Sequence, residues 1–279
     1  MKEIKNQRYT EERALFFEKG AQVKDSVFAD GESPLKHSED IRLSHIVFES
    51  RYPIWYSKNI EVSDSAFFKT CRAGIWYTDH ITLRHTVIDA PKCIRRSSDV
   101  ILEDVNISSA VETLWDCKDI RLKDVSVANG DYFAMNCENM EVENLQLVGQ
   151  YVFDGVKNVT IKNSRMLTKD AFWNSENVTV RDSFISGEYL GWNAKNLTLI
   201  NCTLKSLQGF CYIDNLVMKN CTLVDTTLAF EYSNVDVELN GTVDSVFNPS
   251  SGIIKADAIG ELTMDQNYID PDKTKIILP

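Results

Sequence analysis

"KNVTIKNS" (157–164) is followed nineteen residues later by "ENVTVRDS" (176–183), and after nineteen more by "KNLTLINC" (195–202). The shared frame is a polar residue followed by apolar, any, apolar. It recurs at Asp40, Asn59, His80, Asp99, Asp119, Asn139, Asn158, Asn177, Asn196, Asn215 and Asn234, at intervals of 19 to 21 residues. A weaker copy begins at Gly20. A fixed period near twenty marks a stacked solenoid rather than independent domains.

The composition of each unit says which solenoid. The Leu-x-x-Leu-x-Leu-x-x-Asn frame of leucine-rich repeats is absent, and apolar residues show no helical spacing. Residues one and three after the anchor are apolar (Ile60 and Val62, Val100 and Leu102, Val178 and Val180), with polar residues between them. That alternation describes a strand with one face buried and one solvated. Further apolar columns stand eight after the anchor (Phe67, Ile88, Ile107) and five before it (Ile54, Ile75, Ile94). Each unit is therefore a turn of short strands around a central core, and the chain is an all-β parallel β-helix of about 11–12 coils. One domain is expected over 1–279, with a cap at 1–19, coils over 20–240 and a terminal coil or cap at 241–279. Asn or Asp at the anchor suits a left-handed corner, and a stacked Asn column can bond amide to amide. A second Asn/Asp column five residues later, including Asp64, Asp104 and Asn163, is expected to turn another corner.

The formal net charge of -11, with no basic stripe, argues against nucleic acid. No apolar run has signal-peptide or membrane-span length, so a cytoplasmic protein without membrane attachment is expected. Seven cysteines, with no Cys-x-x-Cys and no zinc-ligand spacing, read as small buried side chains. Neither a cofactor nor a metal is expected. The Asn-x-Ser/Thr sequons fall mostly at fixed points of the repeat and read as its by-product.

The strings "EERALFF" (11–17), "GESPLKHS" (31–38), "RYPIWY" (51–56), "CRAGIWYTDHITL" (71–83), "GEYLGW" (187–192) and "LAFEYSNVDVELNG" (228–241) carry a resemblance. The chain resembles a bacterial family of single-stranded right-handed β-helix proteins of unassigned function, in the broader pectin-lyase-like class. The resemblance implies the fold and its right hand, and brings no activity or catalytic residues with it.

All five tryptophans fall four before the anchor: Trp55, Trp76, Trp115, Trp173 and Trp192. Two placements are open. Simple alternation turns them outward as an aromatic ladder suited to sugar rings, whereas a bend at this point would make them fill a corner of the core. Charges gather nearby in the early coils, including Arg51, Arg72, Lys92, Arg95, Arg96, Glu112 and Asp116. They supply cations for an acidic sugar and carboxylates for proton work, or simply a solvated face. Asp-Asp and Gly-His-Gly, which enzymes of this fold class resemble one another in carrying along with Arg-x-Lys, are absent. The one Arg-x-Lys, Arg121-Leu122-Lys123, falls on the strand after the anchor Asp119, and regular coils leave little room for long cleft loops. The expectation is a non-catalytic binding or scaffold protein, a monomer or end-to-end dimer, with a saccharide or protein on its aromatic face. The alternative is a carbohydrate-active enzyme using Arg95, Arg96 and Asp116.

Overall fold

The computed structural model describes residues 1–279. Apart from two short 3-10 turns, Lys69–Cys71 and Pro271–Lys273, its regular structure is β-strand. The strands pair in parallel from one coil to the next, and the chain is a right-handed parallel β-helix, the hand that parallel crossover connections adopt. It divides into two compact units, residues 1–148 and 149–279. No helix is long and apolar enough to cross a membrane.

In the first unit the principal sheet runs through Lys2–Lys5, Ala21–Phe28, Glu39–Phe48, Lys58–Ser63, Asp79–Ile88, Ser98–Ile107, Lys118–Val127 and Glu138–Gly149. Like stands on like: Ile41 pairs with Ile60, Val62 with Leu83, and Val100 with Ile120. These inward residues are 0–2% exposed. In-register stacking repeats each side chain at the strand spacing of about 4.8 Å. Phe28, Phe48 and Phe67 consequently form a buried stack, with centroids 5.3 and 4.4 Å apart.

The second unit repeats the scheme through Lys157–Lys162, Glu176–Arg181, Lys195–Ile200, Asp214–Val224, Asn234–Asn240, Ser251–Lys255 and Thr274–Ile277. Val159, Val178, Leu197 and Leu216 occupy one inward column.

The rungs named above exceed the eleven or twelve coils expected from the repeat. Residues 2–5 are themselves a rung on Ala21–Lys24, and residues 251–255 and 274–277 are two more. They escaped the repeat because Met1, Ser251 and Lys273 stand where the other coils carry Asn, Asp or His.

Both expected corner columns are left-handed. From Asp40 to Asn215 the anchors have positive φ, for example Asn59 (+52°), His80 (+57°) and Asn177 (+57°); Asn234, expected to match them, does not. The second column matches them at Asp64 (+49°), Asp104 (+52°) and Asn201 (+54°). Amide ladders follow from the register. Asn177 Nδ2 donates to Asn158 Oδ1 at 3.0 Å, and Asn196 Nδ2 to Asn177 Oδ1 at 2.8 Å. In the second column Asn201 donates to Asp182 and Asn220 to Asn201, each at 2.9 Å. Where histidine replaces Asn, a carboxylate stands on the neighbouring coil, as in His85 Nδ1 with Asp64 Oδ1 at 3.4 Å.

A third left-handed column lies directly after the tryptophan positions. It holds Tyr56 (+54°), Tyr77 (+56°), Arg96 (+49°) and Asp116 (+54°) in the first unit, and Asn174 (+53°) and Asn193 (+55°) in the second. Its mixed side chains hid it in the sequence.

All seven cysteines are buried and free. Cys137 Sγ lies 3.1 Å from the Leu114 carbonyl, in the column where Ser57 Oγ donates to Leu35 O at 2.7 Å. Burial pushes the Cys93 thiol up to about 12, so it stays protonated.

The ladder makes a direct prediction. Asn177→Ala loses two amide bonds and leaves a β-carbon in the left-handed region, which costs about 2 kcal/mol. Asn177→Gly, free of the strain, should lose roughly half as much. Chemical denaturation followed by circular dichroism checks this; equal midpoints for wild type and Asn177→Ala would remove the ladder from the account of stability.

Candidate functional site: a basic groove over stacked rings

The column five before the anchor is core: Ile54, Ile75, Ile94 and Leu114 are fully buried. The tryptophans next to it are half-buried, so neither placement left open by the sequence holds completely. The corner after each tryptophan explains this. A left-handed residue interrupts the alternation, so Trp55 lies against the outside of the turn while Ser57, two residues on, returns to the core.

The rings stack on one another. Trp55 and Trp76 are 5.3 Å apart with an interplanar angle of 5°, and Tyr52 tilts onto Trp55 at 4.7 Å. Indole Nε1 of Trp55 donates to Ala73 O at 2.6 Å, and that of Trp76 to Lys92 O at 2.9 Å. Arg95 continues the column, its guanidinium 5.3 Å from the Trp76 centroid and 4.8 Å from that of Trp115. Each ring turns a face to the next coil, and therefore an edge to solvent.

A groove of about 650 Å³ runs over these edges. Tyr52, Trp55 and Trp76 line it, together with Arg51, Lys69, Arg72, Lys92 and Arg95, and no carboxylate does. Glu112 and Glu32 reach its cations from outside. Lys92 Nζ lies 2.9 Å from Glu112 Oε2, Arg95 also pairs with Glu112, and Arg51 lies 3.5 Å from Glu32. Lys92, followed by Arg95, holds the Glu112 carboxyl below its usual 4.5. A second hollow of about 740 Å³ adjoins the groove, sharing Arg51, Lys69 and Thr70 and bringing Glu32, Glu49 and Asp89. Ser108 Oγ donates to Asp89 at 2.7 Å.

Of the residues singled out from the sequence, Trp55, Trp76, Arg95 and Trp115 form one continuous stack. Arg96 and Asp116 sit in the adjacent corner column. Arg96 donates to Tyr77 Oη at 2.7 Å and lies 3.7 Å from Asp116. Trp173 and Trp192 belong to the second unit, their centroids 6.1 Å apart and tilted by 38°. There Trp173 Nε1 donates to Tyr189 O at 3.1 Å.

Sequence reasoning passed over Lys69 and Thr70. Their signal was the longest interval of the series, the 21 residues from Asn59 to His80. Six residues separate Phe48 from Ile54, and six separate Ile88 from Ile94, but eight separate Phe67 from Ile75. The two extra residues are accommodated by the 3-10 turn Lys69–Cys71, whose Cys71 is buried while Lys69, Thr70 and Arg72 project.

The chain belongs to a protein family defined by its sequence and described as "Protein of unknown function (DUF3737)", whose pattern matches residues 2–277. No curated protein matches it. Among solved structures it is similar to PfbA, a surface adhesin of Streptococcus pneumoniae, at 9% identity and a TM-score of 0.39, over 90% of this chain and 80% of that one. It is also similar to the periplasmic alginate epimerase AlgG, at 11% identity and a TM-score of 0.41, over 92% and 75%. At such identities the likeness concerns chain architecture alone.

Glu112 yields a pH prediction. A carboxyl whose pKa is lowered by folding contributes stability above its unfolded value, and that contribution is lost as the pH falls through the folded one. Glu112→Gln should therefore cost about 1 kcal/mol at neutral pH, and the gap should narrow as the pH falls below 4.5. Paired denaturation curves across the acid range measure it; a gap independent of pH would contradict the assignment.

Proposed function

We propose that the protein is a non-catalytic binding module whose ligand, an oligosaccharide, lies along the groove over Tyr52, Trp55 and Trp76. The observation that carries the reading is the groove itself. Its 650 Å³ falls within the roughly 300–1,000 Å³ of small-molecule sites. Its floor is a rigid apolar strip, and its walls are hydrogen-bond donors with no competing acid. Sugars present alternating C–H patches and oxygens, which such a floor and such walls complement.

The ring geometry alters how the ladder would work. Faces already stacked on one another are not open for sugar stacking, so the contact is with ring edges, and the donors fix the orientation. Glycosidic hydrolysis commonly uses two carboxylates flanking the bond. None lines the groove, Glu112 is bound to two cations, and Arg95 is bound to Glu112 and stacked between indoles. These ties favour binding over turnover, and also weigh against the Arg95, Arg96 and Asp116 enzyme alternative.

The test is an oligosaccharide panel titrated against intrinsic tryptophan emission, with product analysis of each mixture. A binding sugar should change the emission of wild type and of Trp192→Phe alike. Trp76→Ala, with its fold checked by circular dichroism, should weaken that sugar about tenfold, the loss of one buried ring contact. The sugar should be recovered intact. No response across the panel, or unchanged affinity in Trp76→Ala, would defeat the reading; cleaved sugar would replace binding with catalysis.

A further inference from the structure

We infer that the groove selects an anionic saccharide, one whose rings carry carboxylate or sulfate. The inference rests on the saccharide-binding reading just given and specifies its ligand class.

The first argument is charge. The protein carries a formal net charge of -11, yet this groove is lined by five cations and no acid. Only Glu32 and Glu112 reach those cations, so five positive charges meet two negative ones. Elsewhere in the unit, charges alternate between coils, as in Arg42 with Glu61, Arg84 with Glu103 and Arg121 with Glu141. Lys69 and Arg72 break that habit. Both are exposed, and neither has a carboxylate partner. Like charges gathered without counter-charges oppose folding, and a bound anion would relieve them.

The second argument is the insertion. The two extra residues of the longest coil form the turn that projects Lys69 and Arg72 over the rings. A coil without the insertion closes from Phe48 to Ile54 in six residues, so the core does not require this turn. The third argument is the rings. An aromatic quadrupole is negative on its face and positive at its edge. Trp55 and Trp76 cover their faces against each other and present edges, which favour oxygen-borne negative charge. Cations, insertion and ring edges thus point to the same ligand chemistry. The carboxylates of the adjoining hollow bound the positive strip on one side and would keep an anion over the rings.

The experiment is calorimetric titration of the full chain with three probes: neutral cellotetraose, tetragalacturonate and a sulfated chondroitin tetrasaccharide. At low salt an anionic probe should bind about tenfold or more tightly than the neutral one, with a gap that closes as salt rises. Whichever anionic probe binds more tightly distinguishes carboxylate from sulfate. The double variant Lys69→Ala/Arg72→Ala should weaken the anionic probes about tenfold or more and the neutral one by less, so that the preference largely closes. Equal binding of all three probes would overturn the inference while leaving the saccharide reading intact, as would a preference untouched by the double variant. Binding of none would overturn both.

Discussion

The structure depends on left-handed corners that recur at the same place in coil after coil, from Gly20 to Asn215. A residue at φ near +55° turns the chain sharply, and Asn, Asp or Gly tolerates that geometry best. Stacking one such corner on the next keeps the coils in register. Register in turn favours columns whose neighbours are chemically matched, like on like in the core and amide on amide or cation on carboxylate outside it, because every side chain meets its counterpart one strand spacing away. Amide ladders, the phenylalanine stack and the buried hydroxyl column are all consequences of that constraint.

The groove is a consequence of the same constraint and of one local departure from it. Register stacks Trp55 on Trp76 and places Arg95 between two indoles, which closes the ring faces and fixes the edges outward. The two-residue insertion before Ile75 then adds a turn that the regular coil has no use for. A rigid scaffold supplies the floor, and a short irregular segment supplies the exposed charges, the usual division of labour between framework and loop. Chemistry of this kind needs no cleft walls.

Much of this architecture was legible in the sequence, because alternation and period are strong signals. The anchor column, the second corner and the core columns at Ile60, Val62, Phe67 and Ile54 follow from them directly. The third corner was not legible, since Tyr56, Arg96 and Asp116 share a backbone conformation and no side-chain chemistry. That omission also left the tryptophans ambiguous, because a period of two does not continue through a left-handed residue. Rungs at both ends were missed where Met1, Ser251 or Lys273 stands in the anchor position. Within the site, Trp55, Trp76, Trp115 and Arg95 were identified and do come together. Lys69 was missed although the 21-residue interval that produces it was in plain view, because an interval was used as evidence of repetition and not of exception.

The central claim is that ligand recognition resides over Trp55 and Trp76. Selective ¹⁵N labelling of the five tryptophans gives an indole N–H signal for each, assignable by single Trp→Phe replacements. Titration with tetragalacturonate should move the signals of Trp55 and Trp76, whose N–H groups bond to Ala73 and Lys92 beside the groove, and leave those of Trp173 and Trp192 in place. Shifts confined to Trp173 and Trp192, or no shift at saturating sugar, would contradict the account.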